Sequence, residues 1–234
     1  MLQKECLSCS VKAGPQYFCS MNKRFLGYAA FFVVLVLLFL YFVFAGTDQW
    51  KPKLATISYV KPFSFTTQEG KEFTEHNYQG KVSVVEYFFT TCPSICPKMY
   101  VNMRSIFDEF KNEPQFQVVG ITSNPGWDTV GRMKRYSDSL NLDPKRWILL
   151  TGRKDSLYTA ARVSYLLDDP NNAVESIEDQ FIHTQFFALV DKNGNVRGQV
   201  YDGLKKSEID MLKRDIRKLL KEKQGGENAP NLFK

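Results

Sequence analysis

From Phe25 to Ala45, twenty-one consecutive residues carry no charge and almost no polar group, whereas beyond Pro62 apolar positions recur only in short alternating or helical periods. About 20 apolar residues cross the hydrocarbon core of a bilayer. The first segment is therefore expected to be a transmembrane helix and the second a globular domain. A secretory signal peptide has an apolar core of only about 7–15 residues, so an uncleaved anchor fits better. Val43-Phe44-Ala45 still leaves a small-residue cleavage point after Ala45 open.

Within the second part, Phe63-Ser64-Phe65-Thr66-Thr67 alternates as a strand does, Gln68-Glu69-Gly70-Lys71 supplies a turn, and Phe73-Thr74 returns as a short hairpin. The continuous run Val82 to Phe89 suits a buried central strand. From Pro97 the period changes: Met99, Met103, Ile106 and Phe110 mark one face of a helix. Strands are then expected over Phe116 to Thr122, Trp147 to Leu150, Gln185 to Val190 and Val196 to Tyr201, with a turn at Lys192 to Asn195. Helices are expected over Asp128 to Leu140 and Asp155 to Tyr165, and a last amphipathic one through Ile209, Leu212, Ile216 and Leu219. The expected divisions are an N-terminal segment 1–24, an anchor 25–45, a polar tether 46–61, a domain 62–224 and a flexible tail 225–234.

Composition narrows the class. With 44% hydrophobic and 24% charged residues in 234, the chain can bury a sizeable core and is not a disordered or low-complexity sequence. The net charge of +6 is spread along the chain, so the basic residues read as solvated and juxtamembrane charge, with no nucleic-acid partner. Lys4, Lys12, Lys23 and Arg24 precede the anchor, and Lys51 and Lys53 follow it. The excess of basic residues on the N-terminal side places that end in the cytoplasm. The expectation is a single-pass protein of the cell inner membrane with its domain in the periplasm, where a disulfide can persist. Cys6, Cys9 and Cys19 then lie across the membrane from the remaining cysteines, and Cys6-x-x-Cys9 without a nearby histidine is a weak zinc pattern. Met21-Asn22-Lys23-Arg24 reads as a start in its own right, which leaves open whether residues 1–20 belong to the native product.

The chemistry concentrates in Cys92-Pro93-Ser94-Ile95-Cys96-Pro97, directly after the expected central strand. A strand here delivers two thiols to the start of a helix, whose N-terminal N–H groups and dipole favour thiolate. Residues four apart in a first helical turn lie on one face, which suits a disulfide or two sulfurs on one soft metal. Cuprous copper accepts low coordination and prefers sulfur. Met99 and Met103 are soft ligands too, but beside Ile106 and Phe110 they read as core. Only two histidines are present: His76, in the polar stretch Glu75-His76-Asn77, reads as exposed, and His183 immediately precedes the strand at Gln185. The element order, strand, two-cysteine loop, helix, strand, helix, late hairpin and closing helix, is that of a thioredoxin-like α/β fold: a central mixed sheet flanked by helices, here preceded by one transmembrane helix. Two enzyme readings stand beside metal binding. One is a periplasmic thiol-disulfide oxidoreductase in which Cys92 attacks and Cys96 resolves. The other is a peroxidase or redox sensor using Cys92, for which Thr90 and Thr91 supply part of the polar support but no arginine is adjacent.

Cys92-x-x-x-Cys96-Pro97, the turn Ser123-Asn124-Pro125-Gly126-Trp127-Asp128-Thr129 and His183-Thr184 recur in an order that resembles the SCO/SenC family, over roughly Pro62 to Leu220. The resemblance implies a membrane-tethered, thioredoxin-fold copper protein that assists assembly of the dinuclear copper site of cytochrome c oxidase as metal donor, thiol reductant or both. It implies Cys92, Cys96 and His183 as ligands to Cu(I) or Cu(II), and the oxidase copper-site subunit or another periplasmic copper protein as partner. It favours a metallochaperone over a turnover enzyme. Ile182 stands where family members commonly carry an acidic residue, and Asn124 where an aspartate is usual. Asp128 is retained and is expected to serve structurally or as a cap of the following helix.

Overall fold

The computed structural model describes residues 23–44, 53–92, 95–169, 182 and 184–225. His183, the three N-terminal cysteines, the start at Met21, the cleavage point after Ala45 and the tail from residue 226 lie outside them. The chain divides into two units between Pro52 and Lys53. In the first, Lys23–Phe44 forms helix α1, whose stretch Arg24–Phe44 is 21 residues long and apolar enough to cross a membrane. This helix fits a membrane anchor.

In the second unit the strands are β1 (Thr56–Tyr59), β2 (Ser64–Thr67), β3 (Glu72–Thr74), β4 (Val82–Phe88), β5 (Phe116–Thr122), β6 (Trp147–Thr151), β7 (Phe186–Val190), β8 (Asn195–Arg197) and β9 (Tyr201–Asp202). They form one mixed sheet in the order β1-β8-β7-β4-β5-β6-β2-β3, with β9 added beside β7. The central strands β4, β5 and β6 run parallel, while β7 runs antiparallel to β4. Parallel neighbours require crossovers. Helix α2 (Cys96–Phe110) joins β4 to β5, and α3 (Val130–Ser139) lies between β5 and β6.

All seven residues of β4 are buried, because both faces of the strand are covered. Val82, Val84 and Phe88 pack under α2, α3 and the closing helix α5 (Lys206–Lys221), together with Met99, Met103, Ile106, Phe110, Met133, Leu212 and Ile216. Val85 and Tyr87 face the opposite layer, where Leu157 and Tyr158 of α4 (Lys154–Thr159) meet Phe65, Phe73 and Tyr78. Both methionines of α2 are thus core residues, as their spacing predicts. The far end of α2 is closed by Arg146, whose guanidinium donates to the carbonyls of Phe110, Lys111, Glu113 and Phe116. Phe110 and Lys111 stand at the C-terminus of α2, where carbonyls lack intrahelical partners and a cation complements the dipole, while Glu113 and Phe116 belong to the turn and strand that follow.

Several boundaries differ from the sequence reading. Residues 56–59 of the expected tether form β1, paired with β8, because Arg197 donates to the Leu54 carbonyl and holds this segment to the sheet edge. The expected strand Val196 to Tyr201 is interrupted at Gly198, whose φ of +78° turns the chain out of the ladder before β9. The helix expected to Tyr165 changes after Thr159 into a π turn over Ala160–Ser164. Asp128 does not cap α3: Thr129 holds the cap position, and no side chain bonds there.

One buried group runs against the apolar pattern. Glu86 sits mid-strand in β4 on the α2 side, lining a cavity of about 20 Å³ with Cys96, Tyr100, Tyr136 and Trp147, room for about one water. Burial raises its carboxyl from 4.5 to about 8. The folded protein therefore binds a proton that the unfolded chain has released, so stability falls as pH climbs from about 4.5 to about 8 and is flat above. Glu86→Gln should remove that slope and raise stability at about pH 8 by up to a few kcal/mol, on the order of 1.4 kcal/mol per unit of the shift; urea titration of both proteins across this range measures it. Gly120 of β5 makes the second prediction. A Cβ there would lie 2.9 Å from Leu149 and 3.2 Å from the Phe88 ring, so Gly120→Ala should destabilise the domain by about 1–3 kcal/mol in the same titration.

Candidate metal centre

The site is built where β4 and β5 both end. Phe88 closes β4 opposite Thr122 of β5, and Ser123 donates its N–H to the Phe88 carbonyl at 2.9 Å. The chain then turns, with the Cys92 N–H donating to Phe89 O at 3.2 Å, and enters α2 at Cys96. Pro97 occupies the first turn, where a missing N–H removes no helix bond. In open α/β sheets the carboxyl ends of parallel strands are where ligand-handling loops collect.

Cys92 and Cys96 are both free thiols and both half-buried. The Cys96 backbone N–H donates to the Cys92 sulfur at 3.4 Å. A main-chain donor from the first helical turn stabilises negative charge on that sulfur. Cys96 is the opposite case. Burial, followed by the hydrogen bond with Cys92, pushes its thiol up from 9.0 to about 12, partly offset by a hydrogen bond that the sulfur accepts from the Phe89 backbone. One sulfur thus sits under a helix N-terminus, and the other is held as a thiol against the cavity that Glu86 lines.

The third sequence-predicted residue, His183, lies outside the described residues; its two neighbours do not. Ile182 is buried in the layer that holds Tyr158, and its N–H donates to the Tyr158 hydroxyl at 3.4 Å. That hydroxyl in turn donates to Ser123 O at 2.8 Å, at the end of β5 beside the cysteine loop. Thr184 is buried on the other side of His183, just before β7, whose antiparallel register pairs Phe187 with Glu86. Ile182, where an acidic residue was expected from the family pattern, is therefore an apolar anchor. Among the described residues no group of three or more His, Cys, Asp or Glu side chains gathers as a metal site. His76 is exposed beside Glu75 and plays no part in this region.

Sequence reasoning missed the polar support beneath the loop. Asp128 is fully buried and accepts from Thr90 N (3.2 Å), Thr90 Oγ1 (2.5 Å) and Thr122 Oγ1 (2.6 Å). Arg132 Nε donates to the same Thr90 hydroxyl at 2.9 Å, and its guanidinium lies 4.6 Å from the Trp127 ring centre. An arginine is therefore close to the loop after all, supplied by α3. No periodicity in the sequence links Thr90 with a carboxylate 38 residues away.

A family model, SCO1/SenC, matches residues 52–221. The SCO1 protein homolog of Bacillus subtilis (strain 168) is 27% identical over 186 residues, covering 77% of this chain and 92% of its own. Among solved structures, BsSco, a member of the Sco family of cytochrome c oxidase assembly proteins in which a disulfide switch was identified, aligns with a TM-score of 0.60 at 26% identity, covering 73% of this chain and 98% of that one. Arabidopsis thaliana ScoI, solved with copper bound, aligns with a TM-score of 0.55 at 27% identity, covering 69% of this chain and 99% of that one. With a match that spans most of the globular unit and a paired-cysteine loop at the start of α2, this chain belongs to the SCO1/SenC family.

Proposed function

We propose that this protein is a membrane-anchored copper carrier for cytochrome c oxidase assembly, in which Cys92, Cys96 and His183 hold the metal as cargo. The observation that carries this reading is the pair of free thiols at the N-terminus of α2, with the Cys96 N–H directed at the Cys92 sulfur, in a chain of this family. Two thiolates and an imidazole suit cuprous copper in trigonal coordination and accommodate cupric copper with one added ligand. Helix α1 is the anchor, with the N-terminus cytoplasmic and the domain in the periplasm. The recipient is the copper-site subunit of the oxidase, whose ligands take over the cargo as Cys92, Cys96 and His183 release it.

The two sulfurs also support a second reading, as a thiol-disulfide oxidoreductase. The Cys92 thiolate attacks a client disulfide and forms a mixed disulfide; Cys96 then attacks the Cys92 sulfur and releases the client as a dithiol. The Cys92/Cys96 pair ends oxidised and the client reduced. The raised Cys96 thiol suits a resolving residue that stays protonated until its partner is engaged. His183 separates the readings, since copper binding uses it and disulfide exchange does not.

The test is copper stoichiometry and absorption of the reduced full-length protein in detergent, beside Cys92→Ser, Cys96→Ser and His183→Ala. Copper carriage predicts one copper per chain and a sulfur-to-copper charge-transfer band in the cupric form that each substitution abolishes. A His183→Ala protein that bound cuprous copper as tightly as wild type, together with a readily exchanged Cys92/Cys96 disulfide, would establish the oxidoreductase reading instead. A pH dependence follows as well. The Cys96 proton must leave when sulfur binds metal, so apparent copper affinity should rise by up to about tenfold per pH unit between about pH 6 and pH 9. Competition with a chelator of known pH dependence measures this.

A further inference from the structure

The geometry points to Asp128 as the positioning residue for Cys92: its buried carboxylate ties the end of the β4 loop to the end of β5 and holds the Cys92 sulfur where the Cys96 N–H and an incoming metal or disulfide meet it. This inference rests on the reading of Cys92 as a working sulfur. The side chain has no competing duty, since α3 is not capped by it.

Two anchor points hold the strand end. Ser123 donates both its N–H and its hydroxyl to Phe88 O. Two residues on, Thr90 is gripped through its backbone N–H and its hydroxyl by the two oxygens of Asp128. Asp128 Oδ2 also accepts from Thr122, whose hydroxyl oxygen in turn accepts the Asn124 N–H, so the carboxylate is fixed to its own loop. Arg132 completes the arrangement by donating to Thr90 Oγ1 while its guanidinium is stacked over Trp127. Cys92 follows Thr90 by two residues and is itself turned back by its N–H on Phe89 O. Phe88 and Thr90 are thus both referenced to β5 and its loop, and only residues 91–95 separate the clamp from α2. The position of Cys96 is set independently by the packing of α2, so the separation of the two sulfurs depends on the clamp.

The chemistry of the clamp is specific to a carboxylate. Both oxygens of Asp128 face donors only: an N–H, two hydroxyls and, at 4.0 Å, the Arg132 Nε. An amide in its place would turn an NH₂ toward one of those donors, and an alanine would leave a partly buried N–H and two hydroxyls without this acceptor.

The experiment uses the full-length protein in detergent with Asp128→Asn, Thr90→Val and Thr90→Ser, and Arg217→Gln on the distant α2–α5 surface as a stability control. In the metal-free reduced protein, the rate of Cys92 alkylation by iodoacetamide and the exchange equilibrium of the Cys92/Cys96 pair with glutathione are measured. In the loaded protein, cuprous affinity and the position of the cupric charge-transfer band are measured. Asp128→Asn and Thr90→Val should change the alkylation rate by about fivefold or more and displace the glutathione equilibrium. They should also weaken cuprous copper binding by about 10–100-fold with a shifted charge-transfer band. Thr90→Ser, which keeps the hydroxyl, should restore wild-type values, and Arg217→Gln should lower the melting temperature alone. Asp128→Asn and Thr90→Val proteins with wild-type alkylation, exchange and spectrum, changed only in melting temperature, would overturn the assignment. If Asp128→Asn fails to fold, the Thr90→Val and Thr90→Ser pair decides by the same readouts. If wild type binds no copper, the carrier reading falls, and the metal-free measurements still decide the role of Asp128.

Discussion

The parallel pairing of β4 with β5 is the constraint on which the rest of the molecule depends. Seven consecutive residue pairs, from Val82 with Phe116 to Phe88 with Thr122, bring the two strands to an end at the same edge of the sheet. A parallel pair cannot be closed by a tight turn, so the chain must cross back over one face, and α2 does so. The first turn of that crossover is where Cys96 sits, and the chain leaving β4 is where Cys92 sits. The paired-thiol loop is thus the necessary path between a buried strand and its crossover helix, furnished with sulfur.

Burial on both faces of the sheet has a second consequence. A loop emerging from a fully covered strand carries backbone polar groups that need partners close by. They find them on the neighbouring strand's loop: Ser123 satisfies Phe88 O, and Asp128 takes the Thr90 N–H. The same demand draws in the segment before β7, where Ile182 is buried and its N–H reaches Tyr158, which is bonded to Ser123. Three stretches far apart in sequence therefore converge on the ends of β4 and β5 for reasons of hydrogen-bond satisfaction, and the two cysteines are held within that convergence. Electrostatics then makes the sulfurs unequal. A helix N–H reaches Cys92, while burial raises the Cys96 thiol.

Much of this was legible from the chain alone, and the reason is periodicity. The apolar run of α1, the unbroken β4 and β5 runs and the four-three-four spacing of Met99, Met103, Ile106 and Phe110 are local signals, and each element stands where its pattern places it. The paired cysteines were equally visible, because a motif that follows a strand and opens a helix needs no long-range information. What the sequence hid was non-local. The edge strand β1 exists because β8 pairs with it and Arg197 reaches Leu54, contacts across about 140 residues that no window contains. The π turn after Thr159 interrupts a helix that the sequence reading carries on to Tyr165, and the break at Gly198 turns on the positive φ of a single glycine within an expected strand.

Asp128 and Glu86 show the division most clearly. In the sequence, Asp128 is a polar residue at the start of an expected helix, where a cap belongs, and Glu86 is an isolated acid in an apolar run. The residue types, their spacing and the family pattern by themselves determined that a thiol pair opens α2 in a thioredoxin-like domain. Only the tertiary structure decided what faces those thiols: that Asp128 turns from its own helix to Thr90, and that Glu86 lies in the cavity that Cys96 also lines. The physical reason is that a carboxylate's role is set by which donors and how much solvent surround it, and both are assembled from segments that meet only when the sheet has formed.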